Sequence, residues 1–332
     1  MPSKETPPLF LSSLACKKSI NPNGVEPFFG DLQNRGNIDI LCASGFGAHI
    51  MRSIDRGKFF YYIENGERGR FCPACSRESR STPMHVDYNK KWSRCLKQDM
   101  EFKLYGRGGK PVVVFPSANG RFYDYENFGM VEACSTFIED EKITLITVDS
   151  IDRQSWLNYK AHPADRALRH NEYDRYIMGE LIPEVRKLLD YAGNFIATGC
   201  SMGGYHSANF FFKHPDVFDS LIALSGIYRL DFCIGDYMDD NVYFNSPLAY
   251  LPNLEDPWYL DRIRGGRIIL CSGRGAWEEE MLRDTADMKE LLERKNIPAW
   301  VDFWGWDVSH DWYWWGKQIA YFMGDLFPLL RE

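Results

Sequence analysis

The sequence predicts an α/β fold, a doubly wound and mostly parallel sheet covered by helices, on three observations. From about residue 110 onward, short apolar runs alternate with segments of helical period. The runs are β-branched and lack polar alternation, as in Val112-Val113-Val114-Phe115, which marks strands buried on both faces. Residues 195–206 read Phe-Ile-Ala-Thr-Gly-Cys-Ser-Met-Gly-Gly-Tyr-His, so a Gly-x-Ser-x-Gly pentapeptide (Gly199 to Gly203) sits between an apolar run and a helix-like segment. That setting is the one a nucleophile elbow requires, because a turn tight enough to lift a serine hydroxyl out of a sheet leaves no room for side chains beside it.

The elements follow in chain order. Residues 1–83 mix Pro, Gly, Asn and Ser with short apolar fragments such as Ile38-Asp39-Ile40-Leu41 and Phe59-Phe60-Tyr61-Tyr62, and no period persists. This stretch carries 11 Lys+Arg against 8 Asp+Glu, the remainder 28 against 38, and all ten tryptophans lie after residue 83. The shift predicts a disordered or mispredicted extension over 1–83 and a catalytic domain over 84–332, with folding information starting near Met84. Cys72-Pro73-Ala74-Cys75 is half of a zinc-ribbon pattern without its second half, and reads as two unrelated thiols.

A strand pair is predicted over 85–105, then strands at 111–116 and 143–148. Ile177, Leu181, Ile182, Val185 and Leu188 give 172–190 a helical spacing that Pro183 ends or kinks. A strand at 195–199 leads to Ser201, and 202–213 is its helix. Short strands follow at 221–224 and 268–271, then a helix over 277–294, a strand at 299–303 and a helix after 311. Residues 229–262, rich in Asp, Tyr, Asn and Pro, interrupt the alternation and read as an insertion over the sheet's carboxyl edge, where such sheets bind ligands.

Composition narrows the function. At 332 residues, 45% hydrophobic and 26% charged, the chain is that of a soluble globular protein with ample core. No apolar stretch approaches the ~20 residues of a membrane span. A net charge of −7 without a basic stripe argues against general nucleic-acid affinity. Nine cysteines, odd in number and without framework spacing, point to a reducing, cytoplasmic compartment. The stretch Leu9 to Ala15 is too short and too serine-broken for an export signal.

Serine is a poor nucleophile until a base takes its proton. His310 follows the last predicted strand, where the chain order Ser…acid…His places that base. His206 and His214 lie on or just past the helix after Ser201, His162 and His170 in a loop before a helix, and His49 and His85 outside the sheet pattern. The loop after strand 268–271 offers Glu278, Glu279 and Glu280. Glu278, nearest the strand end, is the first choice for the acid that orients the imidazole, and Glu279 the second. Asp307 and Asp311 stand too close to His310 in the chain. An oxyanion hole needs two amides, expected from Met202 and from the loop Pro116-Ser117-Ala118-Asn119-Gly120, with Ala118 preferred and Ser117 second. Ser117, Ser155 and Trp156 are candidate pocket residues.

Met84 to the C-terminus resembles the esterase D and mycolyltransferase-type branch of the α/β-hydrolases. The resemblance rests on Val114-Phe115-Pro116-Ser117, Val148-Asp149-Ser150 with Ser155-Trp156, Gly199-Cys200-Ser201-Met202-Gly203-Gly204-Tyr205, and Ser309-His310-Asp311-Trp312. It implies serine hydrolase chemistry on a small-molecule ester, with no metal and no organic cofactor, and it supports Ala118 as oxyanion donor. The branch's Gly-x-x-Asp acid loop appears as Gly273-Arg274-Gly275-Ala276, which leaves Glu278 to serve. The expected function is a carboxylic-ester hydrolase working through an acyl-enzyme. The other readings are an acyltransferase of the same fold and a catalytically silent scaffold.

Overall fold

A computed structural model describes residues 39–44, 47–54, 58–62 and 84–328. The chain divides into two units, residues 1–79 and 80–332. In the first, β1 (Asp39–Ser44), β2 (Gly47–Ile54) and β3 (Lys58–Tyr62) form an antiparallel sheet in that order. The apolar fragments at 38–41 and 59–62 thus fall mainly in its outer strands. Most of the 1–83 extension, including Cys72 and Cys75, lies outside the described residues.

The second unit is an eight-stranded sheet made of β4 (Val86–Ser93), β5 (Gln98–Tyr105), β6 (Lys110–Phe115), β7 (Ile143–Val148), β8 (Phe195–Cys200), β9 (Phe218–Leu224), β10 (Arg267–Ser272) and β11 (Trp300–Phe303). The order is β11-β10-β9-β8-β6-β7-β5-β4. β4 and β5 are antiparallel, β5 runs antiparallel to β7, and β6 through β11 are parallel. Alternate residues of a strand face opposite layers. Val113 and Phe115 of β6 therefore join one core with Phe210, Phe211 and Val185, while Val112 and Val114 join the other with Ile319 and Phe322.

The predicted helix at 172–190 is longer and broken. It runs from Pro163 to Tyr176, passes through a π turn at Ile177–Leu181 and resumes over Ile182–Leu189. Pro183 has no N–H and its ring crowds the carbonyl four residues back, so the wider turn just before it absorbs the misfit. His162 caps this helix and His170 is buried inside it, rather than in a preceding loop. The insertion is a series of short helices, and only its first part sits near the carboxyl edge. Leu230, Cys233 and Val242 pack with Met202 and Trp156, and the rest runs along the helix after Ser201, where Asn245 bonds Tyr205, Asn209 and Lys213.

The far end of that helix is tied by Asp174, which meets Lys213 Nζ at 2.7 Å and His214 Nε2 at 3.1 Å. Burial raises the carboxyl's proton affinity, but the His214 hydrogen bond and the Lys213 charge outweigh it and hold its pKa well below the ordinary value. A depressed folded pKa gives stability that is present above the unfolded pKa of about 3.9 and is lost as pH falls through the folded value. Asp174→Asn is expected to cost about 2–3 kcal/mol near neutrality. The difference from wild type in urea melts should shrink below about pH 4; a constant difference down to about pH 2 would refute the ion-pair origin.

Candidate active site

Strand register brings the predicted residues to one edge. Phe115 pairs with Gly199, Cys200 with Leu224, Leu224 with Cys271, and Ser272 with Phe303. The segments that leave these strands at their carboxyl ends carry Ala118, Ser201, Ser225, Glu278 and His310.

Ser201 sits between β8 and the helix Met202–Lys213 with φ 59° and ψ −122°, a conformation glycine adopts freely and other residues seldom do. Its amide donates to Leu224 O at 2.9 Å. The flanking glycines are sterically required. A Cβ at Gly199 would lie 2.4 Å from Gly203 O, and one at Gly203 would lie 2.2 Å from Phe115 O. Burial pushes the thiol pKa of Cys200, next in the chain, well up and keeps it protonated.

The loop after β6 makes a turn closed by Gly120 N–H donating to Ser117 O at 2.8 Å, with Asn119 at φ 57°. Ser117 Oγ donates to Cys200 O at 3.1 Å, which pins the loop to the end of β8. Asn119 N–H donates to Asp152 Oδ2 at 3.2 Å. Among the described residues, the amides of Ala118 and Met202 donate to no protein acceptor. Ser155 and Trp156 are both 0% exposed and so offer no surface to a ligand; Trp156 packs in one cluster with Met202.

Of the three candidate glutamates, Glu279 and Glu280 are exposed in the first turn of the helix Glu279–Arg294, whereas Glu278 is 1% exposed. Trp277 at φ 69° turns the chain so that side chain 278 points inward. Ser225 Oγ donates to Glu278 Oε1 at 2.6 Å, and Ser272 Oγ, with one hydrogen to give, lies 3.0 Å from both Glu278 Oε2 and Gly273 O. His310 Nδ1 stands 3.4 Å from Oε1, off-line for a hydrogen bond, as is common before substrate tightens a site. Gly273 and Gly275 let the histidine loop cross the acid loop, since a Cβ on either would strike Val308 O at 2.2 or 2.7 Å. His310 N–H donates to Ala276 O at 3.0 Å, and the Trp315 ring meets the imidazole edge-on at 4.7 Å.

Three groups escaped the sequence reading. Ser225 has only one local signal, a polar residue at the end of the apolar run 221–224. Trp315 is one of six tryptophans between residues 300 and 315. Asp152, three residues before the pair Ser155-Trp156, has no local signal. Among the described residues no three His, Cys, Asp or Glu side chains cluster as a metal site, and no helix is long and apolar enough to cross a membrane.

The Esterase family model matches residues 93–326, and the chain belongs to that family of ester-acting hydrolases. No curated protein matches it. Among solved structures, its fold is similar to a ferulic acid esterase (15% identity, TM-score 0.58, 72% of this chain and 96% of that one). It is likewise similar to an S-formylglutathione hydrolase of Staphylococcus aureus (17%, 0.55, 74% and 98%). A third is MPT51 of Mycobacterium tuberculosis (14%, 0.56, 74% and 99%). The fold is that of the α/β-hydrolases.

Proposed function

We propose that the protein is a serine carboxylesterase. Ser201 Oγ attacks the carbonyl carbon of a small-molecule ester while His310 takes its proton. The Met202 and Ala118 amides hold the oxyanion, and His310 returns the proton to the departing alcohol. Water then attacks the acyl-enzyme with His310 as base, releasing the acid and restoring Ser201. Glu278 keeps the imidazole oriented and stabilises it once protonated.

The observation that carries this reading is the conformation of Ser201, held at φ 59° beside the free Ala118 amide. Strain of that kind persists where surrounding structure enforces it, and it clusters at reactive sites. Cys95, Cys134, Cys200, Cys233 and Cys271 are unpaired, in keeping with a reducing cytoplasmic location. The test is labelling by a fluorophosphonate together with hydrolysis of p-nitrophenyl esters of graded chain length. Wild type should be labelled and should turn over the short esters, and Ser201→Ala should do neither. An unlabelled wild type, or equal labelling of Ser201→Ala, overturns the proposal.

A further inference from the structure

Asp152 belongs to none of the groups that would touch substrate, yet it is 1% exposed and bonded on both oxygens. Oδ2 accepts the Asn119 N–H, and Oδ1 lies 2.9 Å from Nε2 of His206, itself 1% exposed. A carboxylate can only accept, so Nε2 carries the proton and donates. The two partners belong to the two halves of the oxyanion hole. Asn119 lies in the turn that presents the Ala118 amide. His206 lies one turn along the helix whose first residue is Met202.

We propose that Asp152 is a positioning residue that sets the separation and direction of the two oxyanion donors. This rests on the reading of Ser201 as nucleophile. Two peptide groups flank Ala118, and only one amide can face the site. Drawing the Asn119 N–H away to Asp152 fixes that peptide plane and leaves the Ala118 N–H as the free donor. The same carboxylate anchors the loop to the elbow helix through His206, so loop and helix cannot drift apart independently. The surroundings hold the strut rigid. His206 stacks on His170 with ring centroids 5.4 Å apart, and His170 is kept neutral because burial pushes its pKa well down. Phe115, the residue before the loop, also packs against His206, with ring centroids 6.2 Å apart. Backbone donors stabilise an oxyanion only when held near 3 Å from where it forms, and loss of one donor costs about 10²–10³ in kcat.

Asp152→Ala is expected to lower kcat by about 10² while KM stays within about threefold, and to weaken a phenyl trifluoromethyl ketone, which forms an oxyanion on the serine, by a similar factor. Asp152→Asn should keep most of kcat, since its carbonyl oxygen can accept from Asn119 N–H and its amide can donate to the other His206 tautomer. Because Asp152→Ala leaves a buried histidine unpaired, the deciding variant is Asp152→Leu with His206→Phe, which replaces the pair by packed apolar groups. That protein should melt near wild type and still show the kcat and inhibitor losses. Wild-type kcat and inhibitor affinity in the folded double variant would overturn the proposal, as would losses confined to KM. Ser201-dependent labelling of wild type separates the two ideas: if it is absent, the nucleophile reading fails and the strut falls with it.

Discussion

Replacing Ser201 with glycine is expected to abolish ester hydrolysis and at the same time stabilise the protein. In the proposed mechanism this hydroxyl forms the acyl-enzyme, so kcat should fall by about 10⁴–10⁶. The stability gain comes from the backbone. At φ 59° and ψ −122° the serine occupies a region that costs a non-glycine residue of order 1–3 kcal/mol. Glycine relieves this strain, and the greater entropy of its unfolded chain takes back about 0.5–1 kcal/mol. The net gain of about 1 kcal/mol should raise the melting temperature by about 2–4 °C. Ser201→Ala should lose the same activity without the gain, because alanine keeps the Cβ. Calorimetry and kcat/KM on p-nitrophenyl acetate check both halves. Glycine melting below alanine would refute the strain, and retained hydrolysis would refute the nucleophile.

The sequence exposes what is local and hides what depends on register. Runs such as Val112–Phe115 and Ile143–Val148 are legible as buried strands because both faces of the sheet are covered, so no polar alternation confuses them. Ser201, Met202 and the 116–120 loop are legible together because adjacent parallel strands end side by side. The π turn is not legible, since one wider turn shifts the apolar spacing too little to register as a break. Pro163 fits a first helical turn, but the loop-like residues before it obscure the boundary. β4 alternates only weakly and lies at the sheet edge, with Val86, Tyr88 and Trp92 all exposed. The cradle around Glu278 joins residues 53 and 6 positions away, and nothing in the local sequence of Ser225 announces such a partner.

That cradle supports the second large effect, a fall in kcat of about 10⁴ for Glu278→Gln. The carboxylate has acceptor positions for both serine hydroxyls and the imidazole; Oε1 is committed to Ser225, and Oε2 shares the Ser272 hydroxyl with Gly273 O. A serine hydroxyl has one hydrogen to give. Trp315 Nε1 donates to Ser225 Oγ at 3.0 Å, which occupies an acceptor lone pair and directs the single hydrogen to Glu278 Oε1. The 2.6 Å contact is the short, charge-assisted kind. A glutamine there must turn its amide hydrogens towards one serine or towards His310 Nδ1. In the second case the imidazole is left in the wrong tautomer to accept the Ser201 proton. Glu279→Gln, on an exposed first-turn residue, should stay within about twofold because only a weak helix-terminus interaction is lost. Glu278→Asp retracts the carboxylate by about one C–C bond, roughly 1.5 Å, so it cannot span both serines and His310; a loss of about 10² should follow. The ranking Gln, then Asp, then the Glu279 variant, read from kcat on one ester, tests the assignment, and a Glu279→Gln enzyme as impaired as Glu278→Gln would remove it. In the proposed triad, the extra methylene of a glutamate and the turn at Trp277 give a residue six positions past the strand end the reach that the sequence position takes away.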